Sequence, residues 1–456
     1  MRTAFDITAD LDTPVSAYLK LASLNPCFLL ESVDRGDRLG RYSFLGFGKT
    51  RQLRLDGQGL VCDGRLAPGP ASLPEVLRRA LALTPPLQPE VPSIPFGGGL
   101  VGVTTYEAMA RIEPRLEGAH NSAVLQGTWV APESMLVFDH VTRKIALLHA
   151  GDDADRARLA REVKQALRAP VAERPTGTVG PEVASFDKDE FCRAVDRVKN
   201  HITDGDVFQM VLSIRFEGET TVDPFDVYRA LRVLNPSPYL FHLALPDLTV
   251  VGSSPEALVR LRGGNATLRP IAGTRPRGGT EADDDAFEQE LLDDPKEAAE
   301  HVMLVDLARN DLGRVAEPGS IAVRPFRSVE RYSHVMHLVT GVEGRLADPH
   351  DQFDLFAAAF PAGTVVGAPK VRAMELIAGL EPVDRGFYAG TAGYFGHGDS
   401  MDQAIAIRTM AFEEGRYFYQ AGAGVVADSV PENEYAEVLA KSAALKAALA
   451  LAAGGL

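Results

Sequence analysis

The 456-residue sequence predicts an α+β protein, with layered antiparallel β-sheets and helices on the outside. Three observations predict it. Short β-rich runs alternate with helical periods along the whole chain, the strands of the second half arrive in hairpins, and 45% apolar residues suffice for large cores.

Residues 1–167 read as one mixed unit, with β-like runs at Cys27 to Glu31, Val124 to Val130 and Lys144 to Leu148, and helical periods at Ser72 to Leu83 and Asp152 to Leu167. The stretch 168–186, "RAPVAERPTGTVGPEVASF", gathers three prolines and two glycines without periodicity and reads as a linker. A second unit, 187–456, carries helical periods at 187–203, 223–233, 283–310, 351–359, 370–379 and 431–452. Between them lie strand patterns such as "YLFHLAL", "ATLRPIAG" and "QAIAIRTMAF". Glu414-Gly415 is expected to turn a hairpin between "RTMAFE" and "RYFYQAGAGVV". No repeat of fixed period is visible.

Composition narrows the function. Sixty-two acidic against 47 basic residues give a net charge of -15, which argues against nucleic acid or an anionic membrane surface as the main partner. Cys27, Cys62 and Cys192 are scattered, with no CxxC spacing, and read as reduced packing residues of a cytoplasmic protein. No apolar run approaches the ~20 residues of a membrane span, and no targeting pattern is seen at the N-terminus.

The segment "DDPKEAAEHVMLVDLARNDLG", 293–313, begins with charge and turns apolar. Asp294, Pro295 and Glu297 suit a helix start, with Glu297 reaching back to the cap. Val302, Met303, Val305, Leu307 and Ala308 are the expected buried flank, and Glu300 beside it needs a cation. A second acidic helix start, "PENEYAEVLAKSAALKAAL", places Glu434 and Glu437 three apart. Two such starts suit Mg²⁺, which takes one or two protein carboxylates and completes its shell with water and substrate oxygens. They equally suit caps, with Glu437 in an exposed ion pair to Lys441.

Arg408 in "QAIAIRTM" shares strand parity with small residues and falls opposite Ala421 if the hairpin turns at Glu414-Gly415. Gly422 and Gly424 lie near, so a carboxylate can approach backbone N–H groups and a guanidinium together. A strand arginine paired with a neighbouring acid explains the same residues. Glu256 in "SSPE" suits a helix start or a general acid.

Taken in order, "GDVFQMVLS", "NPSPYLF", "SSPEALV", "PIAGTRPRG", "DPKEAAEHVMLVDLARNDLGR", "YSHVMHLVT", "PAGTVVGAPK", "GFYAGTAGY", "AIAIRTM", "QAGAGVVADS" and "YAEVLAKSAAL" resemble the chorismate-binding enzyme family, and within it the anthranilate synthases. The resemblance covers nearly all of 187–448 and implies the family's fold. It implies that Glu300 and Glu437 bind Mg²⁺, with Glu297 and Glu434 behind them, and that the metal polarises the substrate carboxylate. Gly273, Thr274, Tyr388, Arg408, Gly422, Ala423 and Gly424 match substrate-contacting positions, while Glu256, His337, Gln209 and Thr364 match catalytic ones. Glu256 is expected to protonate the leaving C4 hydroxyl and His337 to move a proton during pyruvate loss; His301 and His334 read as structural.

Two positions separate the relatives. Aminodeoxychorismate synthases carry a nucleophilic lysine where this chain has Ala272, and isochorismate synthases a water-activating lysine where it has Gln209. The implied reaction therefore converts chorismate and ammonia to anthranilate and pyruvate, the first committed step of L-tryptophan biosynthesis. Aminodeoxychorismate synthesis and a non-catalytic tryptophan-binding regulator are the competing readings. The N-terminal "FLLESVDRGDRLGRYSFLG", 28–46, resembles a regulatory segment in which Glu31, Ser32 and Ser43 join Pro238, Tyr239 and Leu240 around L-tryptophan as feedback inhibitor. No cysteine sits in a glycine-flanked nucleophile motif, so ammonia is expected from a separate glutamine amidotransferase subunit.

Overall fold

The structure, a computed structural model, describes every residue except 1–3, 9, 33–39, 68–71, 117, 119–123 and 332–334. His334 and the middle of the 28–46 stretch lie outside the described residues.

One long antiparallel pair organises the sheets. Tyr42–Asp56 runs beside Gly127–Asp139 from Tyr42↔Asp139 to Leu55↔Gly127. At one end the pair continues through Pro26–Glu31, Tyr239–Ala244, Thr249–Ser254, Thr409–Glu413, Arg416–Val425 and Gln209–Glu219. At the other it continues through Gly99–Thr104, Thr391–Gly396, Ser400–Ile405, Ala257–Arg262, Asn265–Leu268 and Val342–Arg345. The two branches face each other: Phe28, Phe44, Val137 and Phe241 from the first meet Val101, Val103, Ala392 and Tyr394 from the second in one buried cluster. Period-two alternation sends the opposite side chains outward to the helices. Lys188–Thr203, Pro224–Leu234 and Pro431–Gly454 cover the first branch, and Leu73–Ala82, Gln352–Ala359 and Pro295–Gly313 the second. This is the layered α+β arrangement expected.

In each branch the strands from residues 1–167 join those from 187–456 at one seam, Leu30↔Phe241 in the first and Thr104↔Thr391 in the second. The stretch 168–186 is extended; its Val183–Ala184 pairs with Phe216 and Glu217, and Arg174 bridges Asp223 and Asp226. Among the described residues no helix is long and apolar enough to cross a membrane.

Local chemistry sets the element ends. Glu414 and Gly415 both take positive φ, 47° and 77°, as a two-residue type I′ hairpin turn requires, and Glu413 pairs with Arg416. The helical period at 283–310 is two helices, Glu281–Asp293 and Pro295–Gly313, because Pro295 lacks the N–H needed to continue the first. Asp294 caps the second through the amides of Lys296 and Glu297. Glu297 does not reach back as expected, since the Asp294 N–H is already bonded to Glu290 O and the Glu297 carboxylate pairs with Arg275 at 3.3 Å. The buried flank is also rotated from the expected one, to His301, Leu304, Val305, Ala308, Asp311 and Leu312, leaving Val302 51% exposed and Glu300 exposed.

"QAIAIRTMAF" is not one strand. Ser400–Ile405 belongs to the second branch and Thr409–Glu413 to the first, and the chain steps between them with Arg408 at φ 49°. Ser254 and Ala257 end and begin strands of different branches in the same way, with Glu256 on the step, not at a helix start. The two steps are stitched together by Ile405 N to Glu256 O (3.0 Å), Ser253 N to Arg408 O (3.1 Å) and Ser254 Oγ to Ile405 O (2.7 Å).

Candidate active site

These adjoining steps set Glu256 and Arg408 side by side, close enough for each to shift the other's protonation. Arg408 leaves its strand with a left-handed backbone, so the parity predicted for it does not hold and Ala421 pairs instead with Ile214. Among the described residues no carboxylate lies within 4.0 Å of its guanidinium, although burial already disfavours its charge. A desolvated, unpaired cation is a standing demand for an anion.

Glu256 answers with an uncharged carboxyl. Burial pushes its pKa up to about 7, against the opposing pull of the Thr364 hydroxyl, Lys441 and Arg408. Thr364 Oγ1 donates to Glu256 Oε1 at 3.0 Å. Near neutral pH the group holds a transferable proton, as a general acid needs.

His337 approaches from the small sheet formed by Ile271–Pro276, Ser328–Arg331 and Val335–Val339. Its Nδ1 lies 3.2 Å from Gly273 O and 3.0 Å from Thr274 Oγ1. Burial, with Arg408 nearby, lowers its pKa and keeps the ring neutral. If Nδ1 donates to Gly273 O, Nε2 is the acceptor nitrogen. Gly273 has φ +69°, and a Cβ there would strike Leu291 at 2.7 Å, so only glycine fits this turn.

The strand Arg416–Val425 supplies the opposite wall. A Cβ on Gly422 would meet Tyr388 Oη at 2.7 Å, whereas one on Gly424 would point into open space. Ala423, of the other parity, is fully buried in the core and offers only backbone to a ligand. Gln209 opens the neighbouring strand, 7% exposed and uncharged. Tyr388 is fixed by a group that no motif flagged: Arg385, buried with Glu381 (2.7 Å), stacks its guanidinium over the Tyr388 ring and donates to Val211 O and Val365 O. One buried ion pair thus ties the Gln209–Glu219 strand, the Thr364 turn and Tyr388 together.

The two acidic helix starts converge on this pocket. Glu300 is open to solvent on one side and crowded by protein on the other; that crowding, then the Glu297 and Glu437 charges, raise its pKa. Glu434 is raised by burial and by Glu437. Glu437 pairs with Lys441 at 2.7 Å, the ion pair that its spacing allowed. Lys441 Nζ also donates to Gly422 O at 3.1 Å, so it belongs to the site. Among the described residues no three His, Cys, Asp or Glu side chains form a ready metal cage. Carboxylates that raise one another's pKa still fit a hard cation that takes two protein oxygens and keeps its waters. His301 stands apart: it is fully buried, its Nε2 bonds Thr340 Oγ1 at 2.6 Å, and burial lowers its pKa to about 4.

A second cavity, of about 270 Å³, lies between the branches. Glu31, Ser32, Pro238, Tyr239 and Leu240 line it, as does a polar triad in which Tyr239 Oη and Arg260 Nε each donate to Asp402 at 3.0 and 2.9 Å. Ser43 does not line it. Between Tyr42 and Phe44 it has the opposite parity, and its Oγ lies 2.7 Å from His140 Nε2.

Residues 25–447 match the profile of the chorismate binding enzyme family. The chain belongs to that family. It is 44% identical to anthranilate synthase component 1 of Thermus thermophilus, over 98% of this chain and 97% of the relative. Against the Pseudomonas aeruginosa component 1 it is 41% identical, over 98% and 95%. Among solved structures, anthranilate synthase component I of Streptococcus pneumoniae superposes with a TM-score of 0.81 at 34% identity, covering 96% of this chain and 98% of that one. The menaquinone-specific isochorismate synthase of Escherichia coli, TM-score 0.73 at 21% identity and covering 96% and 92%, shares the fold. This chorismate-binding chain is therefore an enzyme acting on chorismate, and its curated relatives are anthranilate synthase component 1 proteins of tryptophan biosynthesis.

Proposed function

We propose that the chain is the synthase component of an anthranilate synthase, converting chorismate and ammonia to anthranilate and pyruvate. The observation that carries this is the adjoining pair of an unpaired, desolvated Arg408 and an acid, Glu256, whose proton is held to about pH 7. Arg408 grips a substrate carboxylate, with the bare backbone of Gly422 and Gly424 beside it. Glu256 protonates the departing C4 hydroxyl as ammonia bonds to C2, and Thr364 orients that carboxyl. His337, neutral and anchored through Nδ1, carries the proton moved as pyruvate leaves. Tyr388 and Thr274 bound the substrate.

Glu300 and Glu437 would hold Mg²⁺, with Glu297 and Glu434 behind them. The ion supplies Lewis-acid polarisation of a bound carboxylate when present. Ala272 in place of a lysine supports direct amination over the aminodeoxychorismate route, and Gln209, which is no base at neutral pH, supports ammonia over water. The intact set of acid, histidine and arginine speaks against a non-catalytic regulator.

None of the three cysteines lies at this pocket, and Cys27 is buried with its pKa pushed up to about 12. Ammonia therefore comes from a partner glutamine amidotransferase subunit, in the cytoplasm. The 270 Å³ cavity is proposed as the L-tryptophan site: Ser32 Oγ there is buried without a hydrogen-bond partner among the described residues, and Glu31 already holds Tyr228 and Arg232. Chorismate, MgCl₂ and ammonium sulfate should give anthranilate fluorescence with the purified chain, glutamine alone should not, and L-tryptophan should suppress the rate. Absence of anthranilate under these conditions would refute the assignment.

A further inference from the structure

Glu256 borders a second, smaller cavity of about 40 Å³ on the side toward helix Pro295–Gly313. Leu304, Leu307, Ala308 and Asp311, spaced along one helix face, form one wall, and Leu258 and Thr364 stand among the others. At ~10 to 15 Å³ per water, the space holds about three or four. It is far too small for a cyclohexadiene dicarboxylate.

The far end carries an unsatisfied polar group. Asp311 is 4% exposed; its Oδ2 accepts from Lys370 Nζ at 2.9 Å, while Oδ1 is buried with no hydrogen-bond partner among the described residues. Lys370 is turned away, with Ala359 O as its other acceptor at 3.3 Å. An orphaned carboxylate oxygen on a residue that lines a small cavity asks for a donor of water's size. The near end offers Glu256, whose Oε1 is held by Thr364. Leucines and alanines line the space between them, with Arg269, paired to Glu330, also on its wall.

We propose that this cavity holds a short water column, anchored by Asp311 Oδ1, that returns a proton to Glu256 after each turnover. The inference rests on the amination proposed above. In that step the C2–N bond forms, the C4–O bond breaks with its electron pair on oxygen, and Glu256 gives that oxygen a proton to make water. The new ammonium group releases one proton to solvent, and Glu256 regains one through the column, so the count closes. Asp311 is a positioning residue that touches no substrate.

Three measurements test it. A high-resolution crystal structure of the whole chain should show ordered water between Asp311 Oδ1 and Glu256, and a dry cavity overturns the proposal whether or not the enzyme makes anthranilate. Ala308→Leu, which plugs the cavity, should lower kcat by roughly 10²-fold, the scale of a lost general acid, with KM for chorismate and ammonium kept and the solvent isotope effect on kcat raised. Asp311→Asn should do the same more weakly, and serves if the plug fails to fold. Wild-type kcat in a folded plug variant, or a raised ammonium KM with full kcat at saturation, which would mark an ammonia passage, overturns it. If the wild type makes no anthranilate at all, the amination reading fails, and the water occupancy still stands or falls by itself.

Discussion

The pocket at Arg408 and the cavity at Asp402 are built from neighbouring strands but treat charge in opposite ways. Beside the cavity, Arg260, Tyr239 and Asp402 satisfy one another, and the triad is complete without a ligand. In the pocket, Arg408 has no ion-pair partner within 4.0 Å among the described residues, and Glu256 is still about half protonated at pH 7. A self-satisfied triad confers order on the fold, whereas an unsatisfied pair stores an attraction that only a bound anion releases.

The sharpest way to break this comparison is Glu256→Gln. Loss of the acid should lower kcat by at least about 10²-fold with the melting temperature kept. In the wild type the acid form predominates below about pH 7, so kcat/KM should fall as pH rises through 7. The same raised pKa stabilises the fold at low pH, an advantage lost between the ordinary 4.5 and about 7 as pH rises, and Glu256→Gln should flatten that dependence in thermal melts.

Next is Arg408→Met. The loss of a charged hydrogen-bond pair, about 2 kcal/mol, should raise the chorismate KM roughly 30-fold, yet the melting temperature should hold or rise, because an uncompensated cation leaves the interior. Asp402→Ala should do the reverse. It strips Arg260 and Tyr239 of their acceptor and should cost about 1 to 3 kcal/mol in chemical denaturation, with basal turnover nearly kept. If both variants lose stability alike, the contrast is false.

The smallest structural effect is expected of Glu437→Gln. Its exposed pair with Lys441 contributes only about 0.3 to 0.5 kcal/mol to stability. The Mg²⁺ needed for half-maximal rate should nevertheless rise at least about tenfold. An unchanged Mg²⁺ titration would remove Glu437 from the metal.

Much of this was legible where residue chemistry is local. The Glu414-Gly415 turn, the capped helix starts and the order of motifs each need only a few consecutive residues. Period-two parity misread Arg408, because alternation is silent about a strand that changes layers, and only φ records the step. The resemblance put Ser43 at the cavity, whereas its neighbours on either side line it and Ser43, of the opposite parity, does not. Arg260, Asp402 and the Arg385–Glu381 brace were not visible as partners. Asp402 is 163 positions from Tyr239, and Arg385 is 174 from the Val211 carbonyl it holds, separations at which one sequence carries no pairing signal.

The seam at which N-terminal strands pair with C-terminal ones in each branch has a practical corollary. A chain cut in the 168–186 stretch would give two pieces, each presenting bare ladder edges that only the other can cap. Expressed singly, both should aggregate; produced together, they should behave as a complementing split enzyme whose reassembly can be read out as fluorescence.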